Sequence, residues 1–163
     1  MIVEGRAVVI DQDNVDTDVM YPGQFIGILD DDEMAQHLFE GLDPALRDQL
    51  VGDTILVCGA NFGTGSSREN VPAAMRAAGI KCVVAKSFAR IFHRNCINLG
   101  VPAIRCPEAV EAARPGSSIR IEIEAGVVEV DGRGFAATAL PPFMVELLEA
   151  GGLAPWIRAG RGS

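Results

Sequence analysis

The stretch Gly59-Ala-Asn-Phe-Gly-Thr-Gly-Ser-Ser-Arg-Glu69 joins glycines, two adjacent hydroxyls and a guanidinium at the end of a continuous apolar run. Glycine lets a backbone come close to a ligand. Arg68 carries a planar fork that grips a carboxylate through two parallel hydrogen bonds. A strand-to-helix junction is where open α/β sheets bind ligands, and free N–H groups at a helix start attract anions. Phosphate motifs do not fit. No lysine stands near the loop, as a Walker loop requires, and Arg68 occupies the third-glycine position of a dinucleotide fingerprint. A G-x-S-x-G nucleophile elbow also lacks its last glycine. Ser66 and Glu69 have capping-box spacing. That reading would put Pro72 inside the capped helix and leaves the glycines and Arg68 unexplained.

Two further stretches carry polar chemistry. Lys86-Ser-Phe-Ala-Arg-Ile-Phe-His-Arg-Asn95 follows the next apolar run, with Ser87 as an N-cap candidate and Arg90 and Arg94 on one helix face. From spacing alone a solvated basic face explains it as well. Asp11-Gln-Asp-Asn-Val-Asp-Thr-Asp18 is rich in carboxylates, but an EF-hand register puts Asp16 and Pro22 where glycine and glutamate are needed. An Asx-turn loop is the plainer reading. The cysteines Cys58, Cys82, Cys96 and Cys106 form no C-x-x-C pair, and His37 and His93 lie far apart. Reduced core thiols are expected, and no metal site in this chain.

Elements must position these residues. The sequence predicts a strand at GRAVVI, a polar loop at DQDNVDTD and an irregular segment at VMYPGQFIGI. A helical stretch over DDEMAQHLFEGLDPALRDQL is broken by Gly41 and Pro44. DTILVCGA, CVVA and VPAIRC read as buried strands, alternating with helices at RENVPAAMRAAGI and SFARIFHRNCINLG. A helical turn at PEAVEAARPG, a hairpin at SSIRIEIEAGVVEV and a short helix at PPFMVELLEAGG follow. The middle is therefore a β/α unit with parallel strands, flanked by strand and hairpin elements, and the class is α/β.

The chain has 163 residues and a net charge of −8. That length suits one domain over residues 1–163, with 151–163 as a mobile C-terminal tail. An acidic chain is a poor binder of nucleic-acid backbone. No run of eighteen apolar residues suits a membrane span, and the N-terminus turns acidic where a signal peptide would stay apolar. A cytoplasmic location is expected. The charge is uneven: −11 over residues 1–53, +6 over 54–106 and −3 over 107–163. A basic middle in an acidic chain points to local anion handling.

DNVDTDVMYPGQF, GANFGTGSSRE and KSFARIFHRNCINLG together resemble the swivelling domain of the aconitase superfamily. Within it they resemble the small subunits of 3-isopropylmalate dehydratases, over roughly residues 1–150. The resemblance implies a swivelling β/β/α domain with a partly parallel central sheet and flanking helices. It implies a hydro-lyase, active only with a large subunit, that eliminates and re-adds water on hydroxy di- or tricarboxylic acids. Its [4Fe–4S] cluster sits on that large subunit and none is bound by this chain; the assembly is a heterodimer or heterotetramer. Ser66 resembles the alkoxide base. Ser67, Arg68 and Gly65 resemble the substrate-binding set, with Asp16, Thr17, Asp18, Asn61 and Arg90 in support. Phe25, Ile26, Gly27, Ile28 and Leu29 fall in the family's specificity loop.

That loop has no cation nearby, since no Lys or Arg occurs between Arg6 and Arg47. An alkyl branch therefore suits it better than a third carboxylate. The expected substrate is an alkylmalate: 3-isopropylmalate first, as in leucine biosynthesis, then methyl- or dimethylmalate, with homoaconitate disfavoured. Asn70 stands where the family has His, and Thr64 where many members have Cys or an acid. An alternative of another class is a non-catalytic module that binds an anionic metabolite. Apolar surface near the active loop suggests self-association of the isolated chain.

Overall fold

A computed structural model describes residues 1–66 and 68–160. Strand β1 (Ile2–Ile10) runs at the centre of a seven-stranded sheet completed by β2 (Thr54–Cys58), β3 (Ile80–Ala85), β4 (Ala103–Arg105), β5 (Ser118–Glu122), β6 (Val127–Val130) and β7 (Arg133–Ala136). The order is β4-β3-β2-β1-β5-β6-β7. β1, β2, β3 and β4 are mutually parallel. β1 pairs antiparallel with β5, and β5, β6 and β7 continue as an antiparallel meander. The sheet is thus partly parallel, as the alternation of apolar runs and helices implies.

Period-two alternation splits the core between the two faces. Val8, Ile10, Leu56, Cys58 and Val83 pack on one face with Val71 and Met75 of helix α4 (Asn70–Ala77) and Phe92 and Cys96 of helix α5 (Arg90–Asn98). Ile55, Val57, Cys82 and Val84 pack on the other with Ala109 of helix α6 (Pro107–Ala112) and Val145 and Leu148 of helix α7 (Pro142–Ala150). Every residue of β2 is buried, because helices cover both faces of the parallel half. All four cysteines are buried and unpaired. Burial pushes the Cys58, Cys82 and Cys96 thiols up, as expected of core thiols.

The structure departs from the sequence expectations at several points. A short helix, α1 (Thr17–Met20), straddles the end of the expected polar loop and the start of the irregular segment, capped by the Asp16 side chain. The helical stretch after Asp30 divides into α2 (Asp31–His37) and α3 (Leu46–Gln49). Its break starts at Leu38, ahead of Gly41 and Pro44, because Phe39 takes a left-handed φ of 63° and its N–H turns to the Met20 carbonyl. The hairpin gains a third strand, β7. Within the expected tail, Leu153–Arg158 forms helix α8, and Trp156 meets Phe143 of α7 edge-on at 5.4 Å. Residues 161–163 lie outside the described part.

Two helix starts also move. α4 begins at Asn70 with Glu69 as its cap residue and no side-chain cap, so Ser66 and Glu69 do not form a capping box. Pro72 therefore falls in the first turn, where its missing N–H costs nothing. α5 begins at Arg90 with Ala89 as its cap residue, so Ser87 does not cap it. The Ser87 hydroxyl instead accepts a hydrogen bond from the Asn61 N–H at 2.7 Å.

Candidate active site

The carboxyl ends of β1, β2 and β3 lead into three connecting segments that zip together. The Asp13 carboxylate accepts from the Ala60 N–H at 2.7 Å, and the Asn61 amide donates to Asn14 at 3.0 Å. The Gly63 N–H reaches the Val15 carbonyl at 2.8 Å, and the Thr17 N–H reaches the Thr64 carbonyl at 2.9 Å. On the other side the Phe62 N–H donates to the Ser87 carbonyl at 3.1 Å, and the Ala89 N–H donates to the Phe62 carbonyl at 3.0 Å. The Gly59–Glu69 loop is therefore threaded between the Asp13–Thr17 segment and the Ser87–Ala89 segment. Asn61 sits at φ 53°, a left-handed conformation that Asn tolerates, and its contacts make it a scaffold of the loop.

Gly63 is the tightest point of this arrangement. Its φ is 91°, and a Cβ there would strike the Phe92 ring. Gly63→Ala is expected to lower stability by about 2–4 kcal/mol, combining left-handed strain with overpacking. Urea unfolding of the isolated chain measures this; a loss below about 0.5 kcal/mol, the scale of an ordinary surface change, would refute the tight-packing reading.

The threaded loop brings Ser66, Gly65 and Arg68 to one cavity of about 280 Å³ with Thr17, Arg90 and Asn95. Ala89, Ile91 and Phe92, at the uncapped start of α5, complete its wall along with Gly63. Among the described residues no carboxylate lines it. Arg90 and a helix start set a positive field there, while the charge of Arg68 is matched by Asp18 from outside the lining. The helix terminus at the cavity belongs to the second motif: α4 starts four residues beyond Ser66.

Each residue of Asp16-Thr17-Asp18 has a separate task. Asp16 Oδ1 accepts from the Asp18 and Val19 N–H groups at 2.7 and 3.2 Å and caps α1. The buried Thr17 hydroxyl donates to the Ser66 carbonyl at 2.8 Å and fixes the backbone that carries the serine. Asp18 forms an ion pair with Arg68 Nη2 at 2.6 Å. Arg68 Nη1 donates to the Tyr21 carbonyl at 3.1 Å, and its side chain is only 16% exposed. The guanidinium is thus pre-set in position and direction.

The segment Pro22–Leu29 lies against Arg68 at Gly23, whose Cβ position would be 3.4 Å from the guanidinium nitrogens. Its five candidate residues are not brought into the cavity. Phe25 stacks on His37 at 3.7 Å, and Ile28 packs against the core. Ile26 and Leu29 are exposed, at 44% and 89%, and Gly27 has open space around it. Arg94 is exposed and also stays outside the cavity. Burial holds the His93 imidazole below its ordinary range, against a hydrogen bond to the Ala103 carbonyl that raises it. Ser67 lies outside the described residues.

The residues do not fit an iron–sulfur cluster. Cys58 and Cys96 pack on one face of the sheet and Cys82 and Cys106 on the other, all sealed from the cavity. Among the described residues no group of three or more His, Cys, Asp or Glu is arranged to hold a metal ion. No helix among them is long and apolar enough to cross a membrane.

Residues 1–109 match the aconitase C-terminal domain family. A 3-isopropylmalate dehydratase small subunit from Caldicellulosiruptor bescii is 41% identical over 160 residues, covering 97% of this chain and 96% of that protein. One from Methanopyrus kandleri is 45% identical over 159 residues, covering 96% and 93%. A 2,3-dimethylmalate dehydratase small subunit from Eubacterium barkeri is 43% identical over 149 residues, covering 90% and 91%. The crystal structure of a 3-isopropylmalate dehydratase from Methanocaldococcus jannaschii superposes with a TM-score of 0.91 at 34% identity, covering 99% of this chain and 96% of that one. The three motifs, the mixed sheet that carries them and these full-length matches lead to one conclusion: the chain belongs to the aconitase C-terminal domain family, among the small subunits of hydro-lyases of the 3-isopropylmalate dehydratase type.

Proposed function

We propose that this chain completes the active site of a dehydratase for an alkyl-substituted malate, 3-isopropylmalate before methyl- or dimethylmalate. The carrying observation is the cavity that holds Ser66 and Arg68 together. Arg68 anchors a substrate carboxylate, assisted by Ser67. Ser66, as alkoxide, takes the proton from the carbon beside that carboxylate. The electron pair left behind becomes the carbon–carbon double bond as the neighbouring hydroxyl departs, and water then returns to the other carbon. An unassisted serine hydroxyl is far too weak a base for this. Arg90, the free N–H groups of α5 and the N–H groups that Arg68 keeps beyond its Asp18 and Tyr21 contacts favour its anion, and act more strongly once water is excluded. One field makes both the base and the anchor.

Departure of the hydroxyl needs a Lewis acid that this chain does not supply. We assign a [4Fe–4S] cluster to a large partner subunit, with which the chain forms a heterodimer or heterotetramer. Its own reduced, buried thiols suit the cytoplasm.

The substrate reading rests on the Pro22–Leu29 segment beside Arg68. It presents Ile26 and Leu29 to solvent, with no Lys or Arg between Arg6 and Arg47 to meet a third carboxylate. Identity does not separate the alkylmalates, since the dimethylmalate relative at 43% falls between isopropylmalate relatives at 41% and 45%. Reconstituting the chain with its large subunit and assaying 3-isopropylmalate, methylmalate, 2,3-dimethylmalate and homoaconitate decides it. The highest kcat/KM is expected for isopropylmalate. A strong preference for homoaconitate would sink the reading.

A further inference from the structure

The Pro22–Leu29 segment is tied to the stretch that carries Arg68 through side chains and carbonyls in sequence. The Tyr21 carbonyl accepts from Arg68 at 3.1 Å, and the Tyr21 hydroxyl donates to the Phe25 carbonyl at 2.9 Å. Asn70, the first residue of α4, then donates from Nδ2 to the Ile26 carbonyl at 3.1 Å. Tyr21 and Phe25 are further held by burial and by the His37 stack. Ile26 and Gly27 have no such support: Ile26 is half exposed and Gly27 meets open space. Within the segment the Ile26 N–H donates to the Gly23 carbonyl at 3.2 Å; the Asn70 amide is a side-chain tie that joins this exposed part to the stretch carrying Arg68, and it springs from a residue two positions beyond that arginine.

We propose that Asn70 is a positioning residue for substrate choice: its amide pins the Ile26 carbonyl and fixes where the exposed alkyl residues stand relative to the Arg68 grip. The proposal rests on the reading of Pro22–Leu29 as the segment that meets the substrate's side arm. The chemistry is specific to an N–H donor. Asp at this position has the same size but offers only oxygens to the Ile26 carbonyl. His carries Nδ1 the same number of bonds from Cβ and, as the Nδ1–H tautomer, restores the donor. A single neutral hydrogen bond supports an effect of about 2- to 10-fold.

The test uses the assembled complex of this chain with its large subunit, and kcat and KM for 3-isopropylmalate and methylmalate. Asn70→Asp and Asn70→Ala are expected to lower the isopropylmalate-over-methylmalate ratio of kcat/KM by about 2- to 10-fold through KM, with kcat nearly constant. Asn70→His is expected to restore the ratio. Ile26→Ala and Leu29→Ala test the underlying reading. If either shifts the ratio while the Asn70 variants do not, the proposal is overturned and the segment's role stands. If neither shifts it, that role falls and the proposal falls with it. Equal losses on both acids in the Asn70 variants, with a lowered Tm and an unchanged ratio, would mark Asn70 as merely structural and overturn the proposal.

Discussion

Ser66→Ala is expected to lower turnover of the assembled enzyme by about 10²–10⁴-fold, the range for loss of a positioned proton-transfer group. The substitution removes one oxygen from an exposed residue whose backbone stays tied to Thr17. Stability should therefore change by less than about 0.5 kcal/mol. Assembly with the large subunit should also survive, because the variant deletes no apolar surface. The measurement is kcat in the reconstituted complex beside size-exclusion evidence of assembly. Residual turnover above a tenth of the original would show that another group takes the proton. Loss of turnover with loss of assembly would show a structural role instead. The same variant separates the enzyme from a non-catalytic anion-binding module, for which no cluster-bearing partner would elicit hydratase activity.

Arg68→Lys is expected to cost about 10- to 100-fold in kcat/KM, the scale of one or two hydrogen bonds to a charged group. Charge is retained, but the fork is not. One guanidinium nitrogen holds Tyr21, another holds Asp18, and the remaining N–H groups are left for a carboxylate. A lysine ammonium has three donors on a flexible stem and cannot hold that geometry for the same entropy. The loss should fall mainly on KM for a ground-state anchor, and on kcat as well to the extent that the grip tightens as the carbon gives up its proton. A Lys variant with unaltered kcat and KM would remove Arg68 from the substrate site.

Much of the fold was legible because its signals are local. Continuous apolar runs at Ile55–Cys58, Cys82–Ala85 and Val101–Ile104, separated by helical spacing, point to parallel strands covered on both faces. The missed elements had weaker or overlooked signals. β7 is largely exposed and has little alternation, although Asp131-Gly132 before it, with φ of 49° and 86°, is the pair that a tight hairpin turn demands. α8 follows Gly151-Gly152 and contains Pro155, residue types that disfavour a helix interior, but proline is tolerated in a first turn.

At the site, the candidate residues of Gly-Ser-Ser-Arg stood out by type and spacing, while Asp16, Thr17 and Asp18 entered only through the resemblance and their separate tasks were not legible. Asp16 as a cap, Thr17 as a brace and Asp18 as a counter-ion depend on a neighbour some fifty residues away or on an unforeseen short helix. Spacing along the chain carries no trace of either. The uneven charge did carry one, since the basic middle supplies both cavity arginines.

The most direct measurement of the proton-abstraction role is solvent deuterium uptake at the substrate carbon beside the anchored carboxylate, followed by mass spectrometry on the reconstituted complex. The native complex should incorporate deuterium from D₂O as water is removed and returned. The Ser66→Ala complex should bind the alkylmalate and incorporate essentially none. Incorporation at the native rate without the Ser66 hydroxyl would contradict its assignment as the base.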